Sequence, residues 1–158
     1  LKGEQVAALV DEIPQIEYLK EERQPGPKHI AEVADLVSDQ VKCIFGGAGG
    51  KVLPDELRRG GNGNMPACEL ADVLAKVTEL WWAGQEEEAR ALHRLLPLII
   101  LENHPFMRYI LKRRGVFSTL VERAPAGKLA LNEGDKREIG TLLKTIEGDI
   151  ESFPILPE

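Results

Sequence analysis

The chain has 158 residues, of which 43% are hydrophobic and 29% are charged, values typical of one soluble domain with a substantial core. Its formal net charge of -6 argues against binding to nucleic acid or to an anionic membrane surface. The longest apolar run, residues 95–101, contains a proline and is too short to cross a bilayer.

Helical and strand patterns alternate in the first part of the chain. Apolar spacing and the glycine and proline positions predict helices over residues 4–13, 29–37 and 52–59, and strands over residues 16–20, 41–45 and 60–65. Strand propensity does not predict the third strand, because the segment is too rich in glycine. Only its place in the alternation of helices and strands indicates it. Strands that alternate with helices at this spacing predict a parallel sheet covered by helices.

Beyond Pro66 only helical patterns follow. They predict helices over residues 70–81, 86–101 (kinked at Pro97), 105–114 and 133–150 before a proline-rich tail. The chain is therefore predicted to be an α/β unit over residues 1–66, followed by a helical block over residues 67–158.

The cysteines and histidines show no metal-binding arrangement. Cys43 and Cys68 lie far apart and lack ligand spacing, so we predict two reduced cysteines in a cytoplasmic protein. The three histidines form no zinc-binding motif, and we expect no metal site.

Lys20 ends the first predicted strand, and active sites of parallel α/β proteins gather at this edge of the sheet. Desolvation there would lower the pKa of the lysine and give a neutral amine. A neutral amine attacks a ketone to form an imine, which is an electron sink for C–C or C–O cleavage. The alternative is an ordinary solvated lysine beside Glu21 and Glu22.

Glycines follow the second predicted strand, at residues 46–50. Gly46 and Gly47 would let a ligand approach the backbone closely, although a simple flexible loop explains them equally well. The spacing fits neither a dinucleotide fingerprint nor a phosphate-binding loop. A nucleotide-binding module is therefore the weakest of the functions considered.

The segment IPQIEYLKEE, residues 13–22, resembles the Schiff-base lysine segment of the dihydrodipicolinate synthase / N-acetylneuraminate lyase superfamily. There a helix, an x-Pro-Asn-Ile turn and a strand ending in Lys-Glu follow one another. Residues 41–47 and 60–66 resemble barrel strands seven and eight of that family. Its C-terminal helical extension is resembled by residues 81–84, 88–90, 95–98 and 111–116.

This resemblance covers essentially the whole chain and implies the C-terminal part, about strands six to eight, of a (β/α)8 TIM barrel, followed by a helical block. It implies a class I aldolase-type lyase, either an aldolase, a synthase or a dehydratase. Lys20 would form the imine with pyruvate or another 2-keto acid, and Gly46, Gly47 and Met65 would line the pocket. No metal or organic cofactor is implied, and the family tends to form homotetramers. Residues 97–102 and 113–115 are most similar to the branch that handles keto-deoxy sugar acids.

Parts of the family's catalytic machinery are not found in this sequence. It has no Thr-Thr pair for the loop that holds the substrate carboxylate, and its tyrosines, Tyr18 and Tyr109, do not stand where the family has its strand-five proton shuttle. Three strands are predicted where a barrel needs eight. We expect a fragment of a longer enzyme; a half-barrel completed by another chain and a non-catalytic remnant are the alternatives. The alternative function is an assembly or regulatory role.

Overall fold

A computed structural model describes residues 1–96, 104–121, 131–150 and 155–156. The strands in these ranges are β1 (Tyr18–Glu21), β2 (Cys43–Gly46) and β3 (Gly63–Asn64). The helices are α1 (Gly3–Glu12), α2 (Gly26–Val37), α3 (Leu53–Arg58), α4 (Ala71–Trp82), α5 (Glu86–His93), α6 (His104–Arg113) and α7 (Glu133–Thr145). Short 3₁₀ turns occupy Ala48–Gly50, Cys68–Leu70 and Glu147–Asp149.

The sheet is parallel throughout, in the order β1-β2-β3, which confirms the prediction from the alternating pattern. Lys20 lies opposite Phe45, and Gly46 lies opposite Asn64. The third strand begins later than predicted because Gly60, with a φ of 94°, and Gly61, whose amide donates to the Glu56 carbonyl, belong to the turn that ends α3. Asn62 then continues the sheet partly through its side chain, whose Oδ1 accepts a hydrogen bond from the Ile44 amide at 2.8 Å.

The helices follow the predicted order with shifted ends. The second helix begins at Gly26 rather than at residue 29, since a proline in the first turn, here Pro27, is compatible with a helix start. The last helix ends at Thr145, and a tighter 3₁₀ turn continues where an α-helix to residue 150 was predicted. The α5 helix ends at His93. The predicted kink at Pro97 lies outside the described residues.

Two apolar clusters hold these elements together. The smaller packs α1 and α2 against the helix-facing side of the sheet through Val10, Ile30, Val33, Ala34, Val37 and Ile44. The larger joins α3 to the helices that follow, with Leu53, Leu70, Val77, Ile110 and Leu143 among its fully buried members. Burial of aliphatic side chains on this scale is the main stabilising contribution to such a fold.

Charged side chains link elements that are distant in sequence. Arg114, which follows α6 and is 4% exposed, donates to the carboxylate of Asp72 at the start of α4, with Nη1 3.0 Å from Oδ1. Near the sheet, Glu32 of α2 accepts a hydrogen bond from the Gly3 amide of α1 at 3.0 Å and lies 3.8 Å from the Arg23 guanidinium. The first pair joins α6 to α4, and the Glu32 contacts join α2 to α1 and to the segment after β1.

In the part of the chain that the structure describes, no helix has the combined length and apolar character that crossing a membrane requires.

Candidate active site

Lys20 is the third residue of β1, near the carboxyl end of the parallel sheet. Since side chains alternate across a strand, Lys20 shares a face with Tyr18, and in the next strand with Phe45. The rings of Tyr18 and Phe45 stack on that face. Tyr18 is 58% exposed and the Lys20 side chain 38% exposed, so the face that carries the amine is open to solvent.

The Lys20 amine is paired with a carboxylate. Its Nζ lies 3.3 Å from Oε1 of Glu22, and the same oxygen accepts a hydrogen bond from the Ala48 amide at 3.2 Å. The Ala48 hydrogen bond, together with the Lys20 ammonium, lowers the pKa of Glu22 below its usual value. Glu22 is therefore a carboxylate at neutral pH, held between the lysine and the loop after β2.

Gly47 makes room for this arrangement. A Cβ at Gly47 would lie 2.6 Å from Cγ of Glu22 and 2.7 Å from its Oε1, which is closer than atoms can pack. The next residue, Ala48, has a φ of 52°, in the left-handed region that non-glycine residues seldom adopt. The Glu22 side chain thus contacts both Gly47 and Lys20 and links the two residues.

Gly46 lies on the opposite face of β2 from Phe45 and points towards the helices. A Cβ at Gly46 would lie 1.9 Å from Oε2 of Glu56 in α3. Met65 follows β3; its amide donates to the Gly46 carbonyl at 2.9 Å, and the residue is 50% exposed. Among the predicted pocket residues, Gly47 contacts the Glu22 side chain, whereas Gly46 and Met65 lie beside it at the end of the sheet.

Glu56 is a buried acid behind the sheet, only 1% exposed. Burial raises its pKa to about 7, against the hydrogen bond from Asn64 that works to lower it. The Asn64 amide donates to Oε2 of Glu56 at 3.1 Å and to the Gly47 carbonyl at 3.0 Å. Asn64 therefore connects the buried acid to the loop that positions Glu22.

Glu21 occupies the helix-facing side of β1, opposite to Lys20. Burial works to raise its pKa, but the hydrogen bonds and positive charge of Arg23 outweigh that effect and lower the pKa overall. The guanidinium donates to both carboxylate oxygens, with Nε 3.1 Å from Oε1 and Nη2 2.8 Å from Oε2. Glu21 is therefore a structural anion, and Glu22 is the one that contacts the amine.

A cleft of about 430 Å³ runs between α1 and β1. Its walls include apolar side chains of α1 and the consecutive residues 19–23, which form the end of β1 and the segment after it. Consecutive strand residues point to opposite faces, so the cleft follows the edge of β1 rather than one face of the sheet. This edge has no strand beside it among the described residues.

Sequence reasoning proposed Lys20 as a site residue, did not distinguish Glu22 from Glu21, and did not indicate Glu56 or Asn64. The sequence analysis treated Glu21 and Glu22 as solvated acidic residues. Nothing in the sequence indicates that one pairs with Arg23 and the other with Lys20. Within the described ranges, no group of three or more histidine, cysteine or acidic side chains is placed to hold a metal ion.

Parallel strands that alternate with covering helices define a protein of the α/β class. Comparison with solved structures narrows this class. The chain is similar to dihydrodipicolinate synthase from Rhodopseudomonas palustris, at 25% identity and a TM-score of 0.80 over 91% of this chain and 50% of that one. It is also similar to dihydrodipicolinate synthase from Thermotoga maritima, at 17% identity and a TM-score of 0.75 over 94% of this chain and 52% of that one.

A third similar structure is YagE, a prophage protein of the dihydrodipicolinic acid synthase family from E. coli K12, in complex with pyruvate. It is 21% identical, with a TM-score of 0.75 over 92% of this chain and 51% of that one. No protein-family model and no curated protein matches the chain. The resemblance to dihydrodipicolinate synthase family members is confirmed by the structural matches, and the chain spans about half the length of the structures it matches.

Proposed function

We propose that the chain supplies the Schiff-base half of a dihydrodipicolinate synthase-like lyase that acts on pyruvate or another 2-keto acid. In this proposal β1, β2 and β3 are barrel strands six to eight, and the helices after Pro66 are the last barrel helix and the C-terminal extension. The observation that carries the proposal is Lys20, on the open face at the carboxyl end of β1, in a fold shared with that family.

The chemistry follows from the amine. Nζ of Lys20 attacks the keto carbon, water is lost, and the resulting protonated imine withdraws electrons from the neighbouring carbon. Gly46, Gly47 and Met65 border the end of the sheet where a small substrate would lie. The pyruvate complex of a protein with a similar fold supports a 2-keto acid as the substrate class. A homo-oligomer, a tetramer by resemblance, and a cytoplasmic setting belong to the same proposal.

Borohydride trapping tests this function. The complete polypeptide or assembly in which the chain occurs is incubated with pyruvate, reduced with borohydride and digested for mass spectrometry. We expect the mass of a reduced pyruvate adduct on Lys20 and no adduct in a Lys20→Ala variant. The matched control is Lys42→Ala, which removes another exposed lysine paired with a glutamate. Absence of the adduct from the wild-type assembly would contradict the proposal.

A second candidate function is an assembly or regulatory role without catalysis. The cleft beside β1 favours it, because a strand edge with no neighbour among the described residues and with apolar walls is a surface on which another strand can pair. In that case Lys20→Ala would leave both the activity and the ligand affinity of any complex unchanged. The same variant therefore separates the two functions.

A further inference from the structure

We propose that His93, in the helical part of the chain, is a positioning residue of the proposed active site: by holding the Gly50 carbonyl it fixes the loop of residues 47–50 beside Lys20. This inference rests on the proposed function, because that loop borders the place assigned to the 2-keto acid. It gives the helices after Pro66 a direct part in the site.

The first support is a hydrogen bond between distant parts of the chain. His93 is the last residue of α5, and its Nε2 lies 2.8 Å from the Gly50 carbonyl oxygen, 43 positions away. Because a carbonyl oxygen only accepts, Nε2 carries the hydrogen of this bond. Burial and the charge of Arg90 hold the pKa of His93 below its usual value, although the hydrogen bond to Gly50 works to raise it. His93 is therefore a neutral imidazole at neutral pH, with its Nε2 hydrogen directed at the loop.

The second support is the backbone conformation of the loop. Residues 48–50 have φ values of 52°, 67° and 81°, all in the left-handed region. A glycine-rich segment has many other conformations open to it, so contacts from outside must select this one. Two side chains hold its ends. The Asn64 amide donates to the Gly47 carbonyl at 3.0 Å, and His93 donates to the Gly50 carbonyl.

The third support is the anchoring of His93 itself. Helix α5 is fixed in the larger apolar cluster by the buried side chains of Ala89 and Leu92. Helix α4 reaches the same end of the loop, since a Cβ at Gly50 would lie 3.0 Å from Cδ1 of the buried Leu74. The loop therefore rests on two helices, and His93 supplies the polar contact between them and the loop.

On its other side the loop faces the amine. The Ala48 amide donates to Oε1 of Glu22 at 3.2 Å, and this carboxylate pairs with the Lys20 ammonium. Gly47 lies so close to Glu22 that no Cβ fits between them. A displaced loop would therefore shift the Glu22 side chain and change the border of the space beside Lys20. His93 acts on this space through the backbone of the loop.

The test compares two amide side chains at position 93. In His93→Gln the side-chain amide reaches about as far as the imidazole Nε2, whereas His93→Asn is one methylene shorter and falls short of the Gly50 carbonyl. Borohydride trapping over a range of pyruvate concentrations, in the complete polypeptide or assembly, gives the concentration that half-saturates the adduct on Lys20. We expect His93→Asn to raise it about tenfold, the factor that one hydrogen bond supplies. His93→Gln should stay within about twofold of the wild type.

Two further readouts separate positioning from a loss of folding. The amount of adduct at saturating pyruvate reports the folded fraction, and the half-saturating concentration does not depend on that fraction. Hydrogen exchange of the peptide that carries residues 47–51 should be about tenfold faster in His93→Asn than in His93→Gln. The matched control is His29→Asn, which removes an imidazole paired with Glu32 of its own helix and should change neither the half-saturating concentration nor the loop exchange.

A wild-type half-saturating concentration in His93→Asn would overturn the inference and leave the proposed function intact, whether or not the loop exchanges faster. Equal increases in His93→Asn and His93→Gln would also overturn it, because the packing of the ring rather than its hydrogen bond would then be responsible. Absence of any adduct in the wild type would overturn the proposed function and this inference with it.

Discussion

The rings of Tyr18 and Phe45 stack nearly parallel, with centroids 6.4 Å apart and planes 5° apart, on the face of the sheet that also carries Lys20. Tyr18 is 58% exposed, although aromatic side chains of adjacent strands are usually covered by a neighbouring layer. The two rings thus form an exposed aromatic surface beside the Lys20 amine. This surface adjoins a strand edge that lacks a neighbour among the described residues.

This aromatic surface predicts self-association of the isolated chain. Replacement of Tyr18 by serine should weaken association about fivefold, since one exposed aromatic contact is worth about 1 kcal/mol. Sedimentation velocity over a dilution series measures the effect. Phe117→Ser removes another exposed aromatic ring, 42% exposed in the helical part, and should change association little. Equal effects of the two substitutions would show that the Lys20 face is not the associating surface.

The buried Glu56 predicts a pH-dependent stability. Its pKa is about 7 in the folded chain against the usual 4.5, so the folded state binds more protons than the unfolded state between these values. The contribution of Glu56 to the free energy of unfolding should therefore fall as the pH rises from about 4.5 to about 7, by about 3 kcal/mol.

Replacement of Glu56 by glutamine should remove this decrease. The variant is expected to match the wild type near about pH 5 and to exceed its stability near about pH 8, where the wild-type carboxyl is charged. Urea unfolding at both pH values measures this, with the exposed Glu87→Gln as the matched control. A wild-type decrease that persists unchanged in Glu56→Gln would assign the titration to another group.

Gly46 and Gly63 predict opposite responses to alanine. A Cβ at Gly46 would meet Oε2 of Glu56 at 1.9 Å, whereas at Gly63 the nearest atom is in the Phe45 ring at an ordinary 3.6 Å. Because Glu56 is buried, Gly46→Ala should destabilise the fold by about 1–3 kcal/mol. Gly63→Ala should be tolerated. Thermal unfolding of both variants checks this, and equal melting temperatures would show that the Glu56 side chain can relocate at no cost.

The buried pair of Arg114 and Asp72 predicts a large loss of stability when one of the two side chains is replaced. Arg114 is 4% exposed, and its guanidinium also donates to the Glu69 carbonyl. Arg114→Met should lower the free energy of unfolding by about 3 kcal/mol or more, because it leaves the Asp72 carboxylate without its charge partner in a largely buried place.

The matched surface substitution is Arg59→Met, which breaks the half-exposed pair with Asp55 and should cost less than about 1 kcal/mol. Denaturant unfolding measures both. In the double variant Asp72→Asn with Arg114→Met, the loss should be smaller than the sum of the single losses. Strict additivity would mean that the two side chains do not act as a pair.

The order of elements and the parallel sheet were predictable because helical spacing and β-branched runs are local signals. The place of Lys20 followed from that order, since the carboxyl ends of parallel strands meet at one edge. Even the glycine-rich third strand was predicted from its place in the rhythm. Its pairing with β2 makes the segment a strand, and propensity scales do not include such long-range pairing.

The surroundings of Lys20 were not predictable in the same way. Glu21 and Glu22 are the same residue type side by side, and only the alternation of the strand assigns one to Arg23 and the other to the amine. Position 46 requires glycine because the side chain of Glu56, ten positions away, fills the space that a Cβ would need. The burial of Glu56 depends in turn on how α3 packs behind the sheet. Such contacts follow from the tertiary structure and leave no periodic trace in the sequence.

The buried Glu56 also affects how the chain exchanges protons with its solution. Near about pH 6 Glu56 should hold about one proton more in the folded chain than in the unfolded chain, because its carboxyl is mostly protonated in one state and mostly ionised in the other. At this site folding should therefore draw a proton from the buffer. The heat of unfolding would then differ between buffers of high and low ionisation enthalpy, and the formal charge of -6, which counts Glu56 as ionised, overstates the negative charge of the native protein at that pH.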